Sequence, residues 1–248
     1  EVFMSGHSKW ATIKHAKGIA DQKRGQKFTK LIKEISVAAK MGGADPDTNA
    51  ALRTAILKAR AENMPKDNIE RAIKKGTGEM GGATVYLELT YEGYAPGGVA
   101  IIVDTLTDNK NRTAADVRST LTKLGGSLGA TGCVSYMFQK KGVIAYDANK
   151  YNEEEIFNAA LENGAEDVTN EDGVIEVTTA PSDFAAVLEA MQAAGFEQES
   201  ADISRIADQM VALDKEKAQK VMNIVERLED LDDVQSVATN LELPEDYE

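Results

Sequence analysis

The sequence TGEMGGATVYLELTY, at residues 77–91, divides the chain into two kinds of structure. Its first half is a glycine-rich linker, and in its second half Val85, Leu87, Leu89 and Tyr91 alternate with more polar residues. This period of two residues predicts a strand with one buried face. Before the linker, apolar residues instead recur every three or four positions, which predicts helices. The stretch therefore predicts a helical region followed by a region of strands and helices.

Three helices are predicted upstream of the linker. The first covers residues 21–40, because its apolar residues share one face: Phe28, Leu31, Ile32, Ile35 and Ala39. The second begins near Asp47 or Asn49, both of which can cap a helix. The third begins at Pro65, which suits a first turn, and ends at Gly76, since glycine commonly follows a helix. Residues 6–76 are thus predicted to form a small helical domain.

Downstream of the linker, the pattern predicts strands that flank a helix. The apolar, β-branched run at residues 99–103 is typical of a central strand. Thr113 and Asp116 have the spacing of a capping box, which predicts that a helix begins at Thr113. Residues 134–138 alternate again and predict another strand, directly after Cys133.

Residues 142–200 predict the order βαββαβ, a ferredoxin-like unit. The pair Asp172-Gly173 separates its two middle strands and is a strong hairpin signal. Its last strand is expected at residues 196–199. After it, the pattern predicts a strand within residues 203–211, a helix at 215–229 and a strand at 234–239.

We expect the unit to be inserted into another domain, because a tandem order would leave strand edges unpaired on both sides of it. The predicted domains are a basic helical domain (residues 4–79), a discontinuous α+β domain (80–140 and 202–248) and an inserted ferredoxin-like domain (141–201). The predicted fold class is α+β multidomain, with an N-terminal three-helix domain and two α+β domains, one ferredoxin-like and inserted into the other.

Composition restricts the classes of function. The 248 residues contain one cysteine and two histidines, which predicts neither an internal disulfide nor a zinc cluster. No apolar run approaches the roughly 20 residues that a membrane helix needs. We therefore expect a cytoplasmic protein with no cofactor, no membrane partner and no small-molecule substrate. Neither a nucleophile–base arrangement nor metal-ligand spacing is found, so we expect no enzymatic activity.

Charge is distributed unevenly along a chain whose net charge is −13. Residues 1–80 contain 16 Lys and Arg against 9 Asp and Glu, whereas residues 143–248 contain 6 against 27. Positive charges gathered in one segment repel one another, and a bound polyanion offsets this repulsion. The basic head therefore predicts nucleic acid as a partner, and the acidic rear either aids solubility, repels nucleic acid or binds a basic protein.

The predicted nucleic-acid-binding residues lie mostly in the basic segment 6–40. Aromatic and basic side chains at its start could stack on bases and contact phosphate, with Trp10 as a core anchor being the alternative. Two further cations, at the start of the predicted helix after residue 107, could hold a phosphate, although that run also suits a turn and cap. The predicted set is His7, Lys9, Trp10, Lys14, Lys17, Lys23, Arg24, Lys27, Lys30, Lys110 and Arg112.

Six motifs then resemble one family, YebC/PmpR, over most of the chain. They are GHSKW (6–10), GGADPDTN (42–49), NMPKDNIERAIKKGTG (63–78), YEGYAPGG (91–98), TDNKNRT (107–113) and GGSLGATGCVSYMF (125–138). The resemblance implies a helical first domain and two α+β domains. It also implies a cytoplasmic regulator of gene expression without known enzymatic activity.

The resemblance implies two roles, and the residues suggest a third. Family members are usually described as DNA-binding transcriptional regulators. The mitochondrial branch and some bacterial members resemble ribosome-associated translation factors, which bind ribosomal RNA and relieve stalling at proline-rich sequences. The acidic C-terminal half instead favours a protein-interaction adaptor. The leading hypothesis is a non-enzymatic nucleic-acid-binding regulator, whose target is DNA or, on the ribosome, RNA.

Overall fold

The computed structural model describes residues 21–82 and 84–247, with the backbone alone for residues 21–24. Seven helices lie in this part of the chain: α1 (Asp21–Gly42), α2 (Ala50–Ala61), α3 (Lys66–Thr77), α4 (Lys110–Lys123), α5 (Glu153–Glu162), α6 (Phe184–Ala193) and α7 (Lys215–Glu229). Ten strands accompany them: β1 (Leu87–Ala95), β2 (Val99–Thr107), β3 (Ser127–Leu128), β4 (Phe138–Asp147), β5 (Asp167–Glu171), β6 (Val174–Thr179), β7 (Ser200–Ala207), β8 (Val211–Ala212), β9 (Val234–Thr239) and β10 (Leu241–Glu242).

The described residues form two compact units. One contains residues 85–139 and 205–247, and the other contains residues 21–82, 84 and 140–204. The domain boundaries given above stay a prediction.

The three helices α1–α3 pack around one apolar core, which includes Ile35 and Ala39 of α1. The predicted cap of α2 is confirmed, because the Asn49 side chain accepts a hydrogen bond from the backbone N–H of Leu52 at 3.1 Å. The amide group of Asn49 also donates to the Ala38 carbonyl at 2.8 Å. One side chain thus starts α2 and attaches it to α1.

The third helix does not end at Gly76 as predicted. It continues to Thr77, and Gly78 is the residue in the left-handed conformation, with φ of 83°. Gly76 faces α1 instead, where an added Cβ would lie only 2.2 Å from the Ser36 carbonyl oxygen. The glycine that looked like a cap is therefore required for close helix packing.

A four-stranded sheet, in the order β3-β1-β2-β9, forms the centre of the unit that contains residues 85–139. The predicted central strand β2 pairs antiparallel with both β1 and β9. Helices α4 and α7 contribute Val117, Leu121 and Val225 to the core on one face of this sheet. A strand from near the end of the chain thus completes a sheet that begins at Leu87.

Helix α4 begins earlier than predicted. Asn109, not Thr113, is the N-cap, and its side chain accepts the backbone N–H of Arg112 at 3.1 Å. The Thr113 hydroxyl is buried and instead lies 2.8 Å from the Asp233 carboxylate. The capping-box spacing was misleading because Thr113 has a long-range partner that local sequence does not show.

The strand predicted at residues 134–138 is wrong. Ser135–Met137 form a 3-10 turn, and β4 begins only at Phe138. The buried carboxylate of Glu92 accepts the backbone N–H groups of Gly132, Val134 and Ser135 at 2.5, 3.1 and 2.6 Å. Because these N–H groups bond to a side chain, they are not used in a strand ladder.

The second sheet has the order β5-β6-β4-β7, with α5 and α6 as its helices. This is the predicted ferredoxin-like unit, and the fold class predicted from the sequence is confirmed. Its hairpin turns at Asp172 and Gly173, whose φ values of 52° and 81° suit a type I′ turn.

The last strand of this unit is Ser200–Ala207, so the two strands predicted at 196–199 and 203–211 were placed wrongly. Phe196 lies before the strand and packs against the ring of Tyr151, with centroids 5.3 Å apart. Its apolar character therefore reflects an aromatic contact in the core and not a strand.

The helical region packs against the ferredoxin-like unit within one compact unit. Leu57 of α2 belongs to the same apolar cluster as Ile156 and Leu188. Beside it, the Lys58 amine lies 2.7 Å from Glu34 and 2.8 Å from Asp202. Burial alone would lower the pKa of Lys58, but the two carboxylates hold that pKa above its ordinary value.

Candidate nucleic-acid interface

The geometry of α1 and α3 determines which basic side chains share a surface. The Ser36 hydroxyl donates to the Ala72 carbonyl at 2.9 Å, and Gly76 lies against Ser36 and Ala39. Ser36 contacts Ala72, and Ala39, further along α1, lies beside Gly76, further along α3. The two helices therefore run parallel, with their C-terminal ends on the same side. Their last turns therefore lie next to each other.

Basic residues from both helices occupy these last turns. Lys40 is in the last turn of α1, and Lys74 and Lys75 are in the last turn of α3. All three are exposed, as is Arg71 one turn earlier in α3. We call Lys40, Arg71, Lys74 and Lys75 the basic tip. Cations at helix C-termini interact favourably with the helix dipole, which accounts for part of this arrangement without any ligand.

The face of α3 that carries the tip points away from the core. With about 100° per residue, Ala72 and Gly76 face α1 while Ile69 and Ile73 face the core. Arg71 and Lys75 then lie on the side of α3 opposite Ile69 and Ile73, away from the core. Residues 21–82 carry thirteen Lys and Arg against eight Asp and Glu, so the region as a whole is also positive.

The predicted site residues have different outcomes in this region. His7, Lys9, Trp10, Lys14 and Lys17 lie outside the described residues. Lys23 and Arg24 lie in the first turns of α1, where only the backbone is described. The remaining two, Lys27 and Lys30, are half-buried.

Lys27 is less available for phosphate than the sequence suggested. Its amine lies 2.5 Å from the Glu62 carboxylate at the end of α2. Lys27 was predicted to contact nucleic acid, but its side chain reaches Glu62, directly after the neighbouring helix α2. In contrast, residues 71–75 of α3 were not predicted as site residues, because they are separated in sequence from the basic segment 6–40. The run RAIKK inside a helix was the signal that could have found them.

The second predicted location, at the start of α4, is organised around an internal ion pair. Arg112 donates from Nε to Asp233 Oδ2 at 3.0 Å and from its terminal nitrogen to Asp108 at 2.8 Å. Hydrogen bonds to Asp233 and then to Asp108 raise the pKa of Arg112. A phosphate would have to displace carboxylates from Arg112, whereas Lys110 is exposed.

Arg112 is therefore expected to contribute to stability more than to binding. Arg112→Ala leaves the buried Asp233 carboxylate without its charged partner, which should lower the free energy of unfolding measurably. Lys110→Ala, at the same helix start, should change it by no more than about 0.5 kcal/mol. Urea unfolding of both variants measures the difference. Equal unfolding midpoints for the two would contradict the structural role.

The glycine-rich loop at residues 125–135 is not an open phosphate site. Three of its N–H groups already bind the Glu92 carboxylate, as described above. Burial raises the pKa of Glu92, but the loop's hydrogen bonds outweigh this and lower the pKa overall. The Glu92 carboxylate thus occupies the N–H groups that a phosphate would need.

Potential catalytic groups are also poorly placed. Burial and the nearby Glu92 charge raise the pKa of the Cys133 thiol, which disfavours the nucleophilic thiolate. Cys133 lies in the loop that precedes the 3-10 turn at Ser135–Met137. Within the described ranges, no three His, Cys, Asp or Glu side chains are grouped so as to hold a metal ion. The described helices also include none that is long and apolar enough to span a bilayer.

Comparison with known proteins assigns the chain to a family. Residues 8–79 match the family described as the TACO1/YebC protein N-terminal domain, and residues 86–241 match the TACO1/YebC second and third domain.

Full-length relatives are similar. A protein of Treponema denticola named probable transcriptional regulatory protein is 67% identical over 99% of both chains. One from Trichlorobacter lovleyi with the same name is 58% identical over 98% of both. The crystal structure of a conserved hypothetical protein from Aquifex aeolicus has a TM-score of 0.81 and 49% identity, covering 91% of this chain and 93% of that one. The chain belongs to the TACO1/YebC family.

Proposed function

We propose that this protein is a cytoplasmic, non-enzymatic regulator of gene expression that binds nucleic acid through its helical domain. The observation that carries the proposal is the basic tip, in which two helices bring exposed cations together. Exposed Lys and Arg side chains of this kind bind phosphate backbones and release counterions. The names of the relatives, probable transcriptional regulatory protein, agree with a role in gene expression.

The polyanion can be DNA or structured RNA. Contacts between lysines and phosphate position a protein but do not read sequence. The basic tip lies at helix C-terminal ends, whereas helix-turn-helix proteins present the N-terminal part of a recognition helix to the bases. This favours recognition of a phosphate surface, which is compatible with a ribosome-associated translation factor as the second candidate.

Sedimentation of the tagged protein through a sucrose gradient of cell lysate tests the two candidates. Co-migration with the large ribosomal subunit supports the translation role. Absence from ribosomal fractions, together with tight promoter binding at physiological salt, supports the transcription role. The Lys40→Glu/Arg71→Glu/Lys75→Glu variant should lose whichever association the wild type shows. If its distribution is unchanged, binding does not use the basic tip.

A further inference from the structure

Helix α5 of the ferredoxin-like unit exposes two large apolar side chains. Phe157 and Leu161 are 41% and 39% exposed, although Ile156 and Ala160 of the same helix are fully buried. Phe157 and Leu161 are four residues apart and therefore adjacent on the helix surface. Adjacent exposed apolar residues with a polar surround are typical of contact surfaces.

Two carboxylates and an amide lie alongside this apolar pair. Glu154, Asn158 and Glu162 are exposed and follow one another at intervals of four residues, so they form a row beside it. The row lies in an acidic domain, since residues 141–201 contain two Lys and fourteen Asp and Glu. We call Glu154, Phe157, Asn158, Leu161 and Glu162 the α5 strip.

The basic tip has the complementary chemistry. Beside its cations, Met41 is 80% exposed and Met80 is 61% exposed. Met41 lies in the last turn of α1, and Met80 follows the end of α3 by three residues. Methionine is flexible and adapts to aromatic and aliphatic surfaces. The tip thus offers positive charge next to adaptable apolar side chains, where the α5 strip offers negative charge next to a phenylalanine and a leucine.

We propose that the α5 strip of one molecule docks on the basic tip of a second copy of the chain. The two surfaces differ, so the contact is heterologous and one molecule can bind two neighbours. Each surface is small, well below the roughly 1,000 Å² of a stable interface, so association is weak and grows with protein concentration. This inference does not depend on the proposed function.

Association is expected to depend strongly on salt. At an ionic strength of about 0.01 M the Debye length is about 30 Å, whereas at about 1 M it is about 3 Å. Sedimentation-velocity ultracentrifugation of the full chain should show a weight-average mass that rises with concentration at low salt only. A monomer at every concentration in low salt would overturn the proposal.

A charge exchange tests the pairing itself. The tip variant Lys40→Glu/Lys74→Glu/Lys75→Glu has an acidic tip and an acidic strip, and the strip variant Glu154→Lys/Glu162→Lys has a basic tip and a basic strip. Each variant alone should remain monomeric at low salt. An equimolar mixture should associate at least as strongly as the wild type, because both kinds of contact are restored. A mixture that stays monomeric overturns the proposal.

A second pair of variants tests the apolar part of the contact. Phe157→Ser/Leu161→Ser changes exposed side chains only, and it should shift the concentration of half-association upward by at least about tenfold. The matched control is Met210→Ser, at a half-buried methionine in the other compact unit, which should associate as the wild type does. Unchanged association of the Phe157/Leu161 variant also counts against the proposal. Circular dichroism confirms that each variant is folded.

Discussion

Reversing three charges of the basic tip, in Lys40→Glu/Arg71→Glu/Lys75→Glu, should weaken nucleic-acid binding by at least about a hundredfold at about 0.15 M salt. Each phosphate contact contributes a slope of about −0.9 to the dependence of log K on log salt, which is worth about fivefold at this salt concentration. When three contacts are lost, their individual effects on affinity multiply, and the three new carboxylates also repel the phosphates. Fluorescence anisotropy with duplex DNA and with a ribosomal RNA fragment, over a range of salt concentrations, measures both affinity and slope.

The slope is the more specific readout. The slope of log K against log salt concentration should become less negative by about three, because each phosphate contact contributes nearly one to it. The matched control reverses Lys215, Lys217 and Lys220 in α7, which changes net charge by the same amount in the other compact unit. These lysines are exposed, and two of them pair with Asp214 and Glu216. If the control loses as much affinity as the tip variant, net charge and not the tip determines binding.

Replacing Glu176 with glutamine should remove most of the fall in the free energy of unfolding that this carboxyl group causes between pH 4.5 and about 7. Glu176 is fully buried in β6, and among the described residues neither of its carboxylate oxygens has a hydrogen-bond partner. Burial, with a smaller contribution from the nearby Glu171 charge, raises the pKa of Glu176 from 4.5 to about 7. The folded protein therefore keeps this group protonated at pH values where the unfolded chain has released the proton.

The sign follows from proton binding. Below pH 4.5 the group is protonated in both states and has no effect on stability. As pH rises from 4.5 to about 7, the unfolded state binds fewer protons, so the free energy of unfolding falls by about 1.4 kcal/mol per pH unit. Above pH 7 the loss is complete, at about 3 kcal/mol.

Glu176→Gln should accordingly be more stable than the wild type by about 2–3 kcal/mol at alkaline pH and similar to it in acid. Urea unfolding at a series of pH values measures this, and hydrogen exchange of β6 amides checks it locally. Glu189→Gln, at an exposed carboxylate of α6, is the matched control and should leave the wild-type profile unchanged. Parallel pH profiles for Glu176→Gln and the wild type would contradict the prediction.

Several elements could be predicted because their signals are local. Helix α7 and strand β9 were predicted with the bounds that the structure has, since each has a continuous apolar period. The Asp172-Gly173 hairpin needed only two residues that accept positive φ. Errors occurred where a distant partner changed the role of a residue. Thr113 resembled a cap but bonds to Asp233, and Gly76 resembled a helix end but packs on α1.

In the candidate site, too, distant partners changed the roles of predicted residues. Lys27 was predicted to contact nucleic acid, and its partner Glu62 lies directly after another helix, α2. Arg112 was predicted as a phosphate ligand, although its main partner Asp233 is 121 residues away. Lys74 and Lys75 were missed because the last turn of α1, which lies beside the last turn of α3 and carries Lys40, is more than thirty residues earlier. Charge in sequence indicated a polyanion partner but did not identify which cations share a surface.

The sequence by itself determined the family, the order of helices and strands, and the unequal distribution of charge. These depend on period, turn residues and composition, which neighbouring residues define. Only the tertiary structure decided which charges are paired, which are exposed and which are buried without a partner. Those properties arise from contacts between residues that are far apart in the chain, such as Lys58 with Asp202 and Arg205 with Asp104. Electrostatic interactions depend on distance in space and on burial, and a linear sequence specifies neither.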